Sequence, residues 1–199
     1  MDYLRFVGEQ ASFISRKWGK LTVESASFTP AADGDLVVYI GDFSDQERVN
    51  VRIHSECVFA EAFDSNFCDC ADQLDIAMQY LVENHGILFY LRFDGRGAGL
   101  SAKVKATALE VAGMDTYESR VKIGVEPEGR DFTNIGNFLI KKGIKKITLL
   151  TNSPNKINDL KKAGVDVVAK PLYIDHPNPN VQRLYETKIE KFGHLIPKE

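Results

Sequence analysis

The sequence is poor in the features that mark several protein classes. None of its apolar runs approaches the roughly 20 residues a membrane helix needs, so no membrane-spanning segment is expected. The opening residues, MDYLRFVGEQ, lack the basic-then-apolar order of a secretory leader, and a cytoplasmic protein is expected. With 25 basic and 28 acidic side chains the net charge is −3, so no global positive field would attract a nucleic acid polymer. An anionic ligand would have to be held by local cations and backbone amides. The basic stretches (Lys141, Lys142, Lys145, Lys146 and Lys161, Lys162) read as solvated faces near helix ends, where lysine suits the dipole. Cysteine is scarce as well. There are three, an odd number, which argues against a disulfide framework. No repeat, low-complexity tract or linker interrupts the chain.

What is present is an ordinary globular balance, 44% hydrophobic and 27% charged over 199 residues, enough for one domain with a real core. Residues 1–34 are a weakly patterned segment of that same domain, and the main body spans 35–196. Strands are expected at LVVYI (36–40) and VNVRIH (49–54), both rich in β-branched residues. A helix follows, with Asp72 as its N-cap and Leu74, Ala77, Met78, Leu81 and Val82 on one face, ending at Gly86. The continuous apolar strand ILFYL (87–91) is of the kind buried on both faces, and it runs into a glycine-rich loop, FDGRGAG (93–99). Helices are expected from Ser101 to Gly113, around Phe132 to Leu139, before Gly164, and near 181–192, with strands at KITLLT (146–151) and VDVVA (165–169). Antiparallel-looking strands come first, and alternating strand and helix follow. The fold class is therefore α+β (mixed α/β), a single domain with a central mixed sheet flanked by helices.

All three cysteines lie within fourteen residues: Cys57, ten residues, Cys68, one residue, Cys70. Three thiolates without an obvious fourth ligand suit a catalytic zinc, which keeps one position open for water and lowers that water's pKa toward neutrality. His54 lies close enough in sequence to complete a closed, structural site. Three inert buried cysteines are the remaining reading. Spacing alone leaves all three open.

The segment RIHSECVFAEAFDSNFCDC (52–70), with Gln73 three residues on, resembles the signature of GTP cyclohydrolase II. The similarity continues through YLRFDGRGAGLSAK (90–103), GMDTYES (113–119), GRDFTNIG (129–136) and LLTNSPNK (149–156), and it ends in TKIEKFGHLI (187–196). Several spaced motifs in the right order are far more specific than any one of them. The resemblance implies a homodimeric enzyme dependent on zinc and magnesium. It implies hydrolysis of GTP to a diaminopyrimidine ribosylamino phosphate, formate and pyrophosphate, the entry to riboflavin synthesis.

Residue by residue, the resemblance implies Cys57, Cys68 and Cys70 as zinc ligands and the run Arg52, Ile53, His54, Ser55, Glu56 as a GTP contact, joined by Gln73. It carries Asp94, Gly95 and Arg96 over as a nucleotide-contacting loop, although the family's glutamate is here the shorter Asp94. It assigns Thr116, Thr151 and Lys156 to GTP as well. Lys156 in the first turn of a helix is independently a natural phosphate partner. Arg130 matches an arginine proposed as nucleophile on the α-phosphate. Guanidinium resists deprotonation, so a clamp on phosphate is the less demanding role. Glu128 stands where the family has an aspartate acid/base, and Asp131 reads as a helix cap.

Two further departures bear on the chemistry. Thr107 replaces an active-site tyrosine, and Ser119–Arg120 replaces Ala-Asn. Val104, Thr107, Ala108 and Val111 share one helical face, so Thr107 is expected to point inward. Beside an active GTP cyclohydrolase, two alternatives follow. One is a variant that retains the formyl group or acts on another purine nucleotide. The other is a zinc-containing nucleotide-binding protein without turnover.

Overall fold

Val49, Val51 and Ile53 point to one face of an inner strand, and Asn50, Arg52 and His54 point to the other, all of them buried. This period-2 alternation places apolar side chains in a core and polar ones under a helix on the opposite face. In the computed structural model, which describes residues 7–29 and 34–197, that strand is β4 (Val49–Ser55). The other strands are β1 (Gln10–Ser15), β2 (Gly19–Ala26), β3 (Asp35–Ile40), β5 (Gly86–Leu91), β6 (Lys146–Leu150) and β7 (Asp166–Lys170). Together they form one sheet in the order β1-β2-β3-β5-β4-β6-β7. Pairing is antiparallel from β1 to β5 and parallel from β5 through β4 and β6 to β7.

The helices are α1 (Val58–Phe63), α2 (Cys70–Asn84), α3 (Gly99–Val111), α4 (Glu118–Lys122), α5 (Thr133–Lys141), α6 (Pro154–Lys162) and α7 (Pro179–Phe192). A 3-10 turn, Asp94–Gly97, precedes α3. α5 and α6 cover one face of the sheet, where Ile135, Leu139 and Leu160 pack on Val51, Ile53 and Phe89. α2 covers the other, where Met78 and Leu81 pack on Leu21, Val38 and Leu88. Leu88 and Phe89 thus enter opposite cores, which is why β5 is apolar without alternation. Truncating Leu139, fully buried, to alanine should cost about 2–5 kcal/mol. Gly136 lets α5 meet α6: a Cβ there would lie 2.5 Å from that of Ala163. The architecture is the expected α+β domain with a mixed central sheet. Among the described residues no helix is long and apolar enough to cross a membrane.

The structure departs from the sequence reading in three places. Residues 10–26, expected to be weakly patterned, form the hairpin β1–β2. β1 is exposed along nearly its whole length, with Phe13 at 50% and Ile14 at 75%, so no inside–outside alternation marks it. α2 begins at Cys70, with Asp69 rather than Asp72 at the N-cap position. The Asp69 carboxylate is bonded elsewhere and does not cap the backbone. On α3, Val104 and Val111 face solvent, and only Ala106 is buried.

Candidate active site

The parallel strands β4, β5 and β6 end on the same side of the sheet, and the loops beyond them line one pocket, as expected at the carboxyl ends of an open sheet. Of the residues singled out from the sequence, Arg52, His54, Ser55, Glu56, Cys57, Cys68, Cys70, Gln73, Asp94, Gly95, Arg96, Thr116, Glu128, Arg130, Thr151 and Lys156 all line it. Ile53 does not. Alternation turns its side chain into the opposite core, and its carbonyl accepts a hydrogen bond from Lys156 Nζ at 2.8 Å.

The cysteines lie in the wall of the pocket. β4 delivers Cys57 to the N-terminus of α1, and the CDC turn delivers Cys68 and Cys70 to the start of α2. Their sulfurs lie within 4.8 Å of one another, and those of Cys57 and Cys68 are 3.6 Å apart. Four ligands around zinc at about 2.3 Å would set sulfurs about 3.8 Å apart, so the cluster fits such an ion. Cys68 and Cys70, then Lys103, hydrogen-bond Cys57 and hold its thiol well below the usual range, while proximity to Cys57 raises Cys68 and Cys70. A bound cation would let all three ionise together.

His54 is not part of the cysteine cluster. Its Nε2 lies 2.9 Å from Glu61 Oε1, and Glu61 also accepts from Cys57 N at 2.7 Å and from the Tyr90 hydroxyl at 2.7 Å. The histidine thus braces the loop that carries Cys57. Among the described residues the three cysteines form the group able to hold a metal, with no fourth side chain.

Arg52 spans the floor of the pocket. It donates to Leu150 O and to Gln73 Oε1, each at 3.0 Å, and Gln73 Nε2 donates to Asp69 at 2.6 Å. Arg52 Nε is buried without a partner, and burial lowers the guanidinium to about 10. Glu56 pairs with Arg92 Nε at 2.8 Å.

The pocket is also lined by cations. Lys156 is 6% exposed, and burial first, then Arg52 and Arg130, push its ammonium well below the usual range. Arg130 Nε donates to Glu128 Oε1 at 2.6 Å, Nη2 pairs with the other carboxylate oxygen, and Nη1 donates to Ser55 Oγ at 3.1 Å. The pair is largely buried, not a solvated surface bridge. Arg96 has φ of 57°, a left-handed conformation disfavoured for a side-chain-bearing residue. Burial, then Arg120 and Arg130, lower it to about 9. Its Nη2 reaches Thr116 Oγ1 at 3.4 Å. Thr151 ends beyond β6, its hydroxyl accepting from Ser153 N at 3.1 Å. Asp131 stays exposed and accepts from Thr133 N at 2.8 Å, near the start of α5.

The pocket also holds residues the sequence reading left without a role. Lys103 Nζ lies 2.6 Å from Asp94 and 3.1 Å from Cys57 Sγ. Burial opposes its charge, but Asp94 and Cys57 outweigh burial and hold it above the usual lysine range. Shortened Asp94 is thus a bridge from the glycine loop to the cysteines. It also accepts from Val58 N at 3.2 Å. Thr107 lines the pocket, beside an ion pair of Arg120 with Glu110 at 2.9 Å, and Arg120 also donates to Thr116 Oγ1 at 2.8 Å. Lys188, Phe192 and His194 enter from the C-terminal segment. The tail motif TKIEKFGHLI (187–196) is the sequence signal that covers these three. Nothing local in it says which side chains turn inward.

The chain is similar to known proteins along most of its length. A family model described as GTP cyclohydrolase II matches residues 9–171. The chain is 41% identical over 183 residues to the GTP cyclohydrolase-2 of Neisseria meningitidis serogroup A, covering 90% of this chain and 91% of that protein. It is 36% identical over 188 residues to the GTP cyclohydrolase-2 of Teredinibacter turnerae, covering 94% of each. With the GTP cyclohydrolase-2 of Histophilus somni it shares 36% over 198 residues, covering 98% of this chain and 90% of that protein.

Proposed function

The chain belongs to the GTP cyclohydrolase II family, and from that premise we propose that it opens the imidazole ring of GTP and releases formate and pyrophosphate, the first step of riboflavin synthesis. The observation that carries this reading is the meeting, in one pocket, of a three-thiol cluster with the cations Arg96, Arg130 and Lys156. A nucleotide has a base to be attacked at one end and phosphates to be held at the other.

Cys57, Cys68 and Cys70 would hold zinc, which supplies Lewis acidity and an activated water for attack at C8. Lys103 hydrogen-bonds Cys57 and ties the cluster to Asp94. Arg52 and Gln73, fixed to each other, form a rigid polar floor for the base, and Glu56 supplies a carboxylate for guanine's amino and ring N–H donors. The His54–Glu61 pair braces Cys57. Lys156, Arg96, Thr116 and Thr151 would bind the triphosphate, with magnesium accompanying it. Glu128 grips Arg130 through both carboxylate oxygens, which favours a fixed, charged phosphate clamp over a nucleophile. Glu128 then acts chiefly by orienting Arg130.

A homodimer is part of the proposal. Leu100, Val104 and Val111 form an apolar stripe on α3, between 48% and 64% exposed, of the kind a second copy would cover. The observation favouring a second reading, retention of the formyl group, is Thr107 in the pocket wall. Incubation of the zinc-loaded protein with magnesium and GTP, followed by chromatography and mass analysis, tests these readings together. Diaminopyrimidine with formate and pyrophosphate supports the first, formylated pyrimidine the second, and intact GTP would leave only a nucleotide-binding protein.

A further inference from the structure

The C-terminal helix closes the pocket with side chains that have no role in the reading above. On the cysteine side, the Tyr185 hydroxyl donates to Asp69 at 2.6 Å, and Lys188 Nζ lies 3.4 Å from the same carboxylate. At the glycine-rich loop, the Arg96 guanidinium lies over the Phe192 ring, 4.3 Å from its centroid. On the phosphate side, Leu195 N donates to Asn152 O at 2.9 Å. α7 and the residues just after it therefore touch the cysteine turn, the glycine-rich loop and the segment after β6. At its end Gly193, with φ of 65°, reverses the chain, and His194 N donates back to Lys188 O at 3.1 Å. Backbone contacts before and after His194 fix where its side chain goes.

That side chain lines the pocket with Arg96, Arg130 and Lys156. Its Nδ1 is buried with no hydrogen-bond partner. An unsatisfied buried polar atom is costly, and a ligand would relieve that cost. Burial first, then Lys188, Arg96, Lys156 and Arg130, push the imidazole down to about 3, so it is neutral at ordinary pH. A neutral imidazole offers these cations no charge, but its N–H can donate to an anion lying among them.

We propose that His194 is a substrate-contacting residue that binds the phosphate chain of the nucleotide alongside Arg96, Arg130 and Lys156. This rests on the nucleotide reading of the pocket. It makes the C-terminal segment, which lies beyond the residues matched by the family model, a working wall of the site. Phe192 contributes by stacking under Arg96 and so fixing the guanidinium that shares the phosphates.

Calorimetric titration of the full, zinc-loaded chain with inorganic tripolyphosphate tests this. His194→Ala should weaken binding about tenfold or more, the range of one hydrogen bond to a charged group, at an unchanged melting temperature. His194→Gln, which keeps a donor, should recover part of the loss. Equal affinity in the unmodified and His194→Ala proteins overturns the proposal, as does absence of tripolyphosphate binding in the unmodified protein. Weakened binding with a lowered melting temperature and no recovery in His194→Gln also overturns it, since the residue then only packs. GTP turnover measured in parallel separates the two readings. A protein that binds tripolyphosphate through His194 but leaves GTP intact keeps this inference and loses the cyclohydrolase assignment. One that opens GTP yet binds tripolyphosphate independently of His194 does the reverse.

Discussion

Asp69, lying between Cys68 and Cys70, accepts a hydrogen bond of 2.6 Å from the hydroxyl of Tyr185, 116 residues further along the chain. The same carboxylate receives Gln73 Nε2 at 2.6 Å, so one fully buried charge joins the cysteine turn, the Arg52 partner and the C-terminal helix. Burial works against that charge, but Lys188, Tyr185 and Gln73 outweigh it and hold the carboxyl below its usual value. Tyr185→Phe should therefore destabilise the fold by about 1.5–3 kcal/mol, measured by denaturant unfolding near neutral pH. The sign of the pH dependence follows from the depressed folded value. The stabilisation is complete above the unfolded carboxyl pKa of about 3.9 and is lost as pH falls through the folded one. The gap between the two proteins should narrow below about pH 4. A gap that stays constant through the acid range would mean that the hydroxyl does not act through the Asp69 charge.

Replacing Cys57, Cys68 or Cys70 singly with serine should strip zinc from the purified protein and abolish ring opening. Elemental analysis reads the first and product chromatography the second. Full activity in protein shown to lack zinc would sink the metal assignment.

Lys156→Ala should raise KM for GTP by about tenfold or more, with a smaller change in kcat. Because Lys156 is only 6% exposed, most of that rise should persist at high salt, unlike the effect of a surface lysine. Steady-state kinetics at two ionic strengths check both statements. An unchanged KM would reduce Lys156 to a support for the Ile53 carbonyl.

Opening the ring leaves a formamide, whose nitrogen is a poor leaving group until it is protonated. A positioned phenol can assist such a transfer by about 10²–10⁴ in rate, and Thr107 offers only a short, weakly acidic hydroxyl. The protein should release a larger share of formylated pyrimidine than a relative with tyrosine at this position, and Thr107→Tyr should shift the balance toward formate. Quantifying both products over the first turnovers decides it. One formate per GTP from the unmodified protein would show that another group does this work.

The α3 stripe makes a prediction about assembly. Val104→Glu places a charge on a residue that is 53% exposed, so the isolated chain should fold normally while the dimer weakens. Sedimentation at several concentrations should show a monomer where the unmodified protein sediments as a dimer. Identical sedimentation would place the subunit contact elsewhere.

Much of the site could be read before folding, because its chemistry is written in local runs. RIHSEC, CDC and DGR each put their functional groups within a few residues of a strand or helix end, and their resemblance to a known family's motifs implies the roles that spacing alone leaves open. β4 and β5 were legible for a similar reason. β4 alternates between two buried faces, and β5 is apolar on both. β1 was not legible, since an exposed edge strand has no buried face to impose a pattern. The valines of α3 misled because periodicity shows that residues share a face but not what that face meets.

The sequence by itself determined the thiol cluster, the glycine loop, the lysine at the start of α6 and the mixed class of the fold. These are properties of neighbouring residues and of backbone preference. Only the tertiary structure decided which groups face one another. It set His54 on Glu61 and away from the cysteines, Asp94 onto Lys103, Glu128 onto Arg130, and His194 among Arg96, Arg130 and Lys156, each more than thirty residues distant in the chain. Such pairings depend on the order in which parallel strands lie side by side and on where α7 docks. Contacts between distant segments, each weak alone and cooperative together, fix both, and no local pattern encodes them.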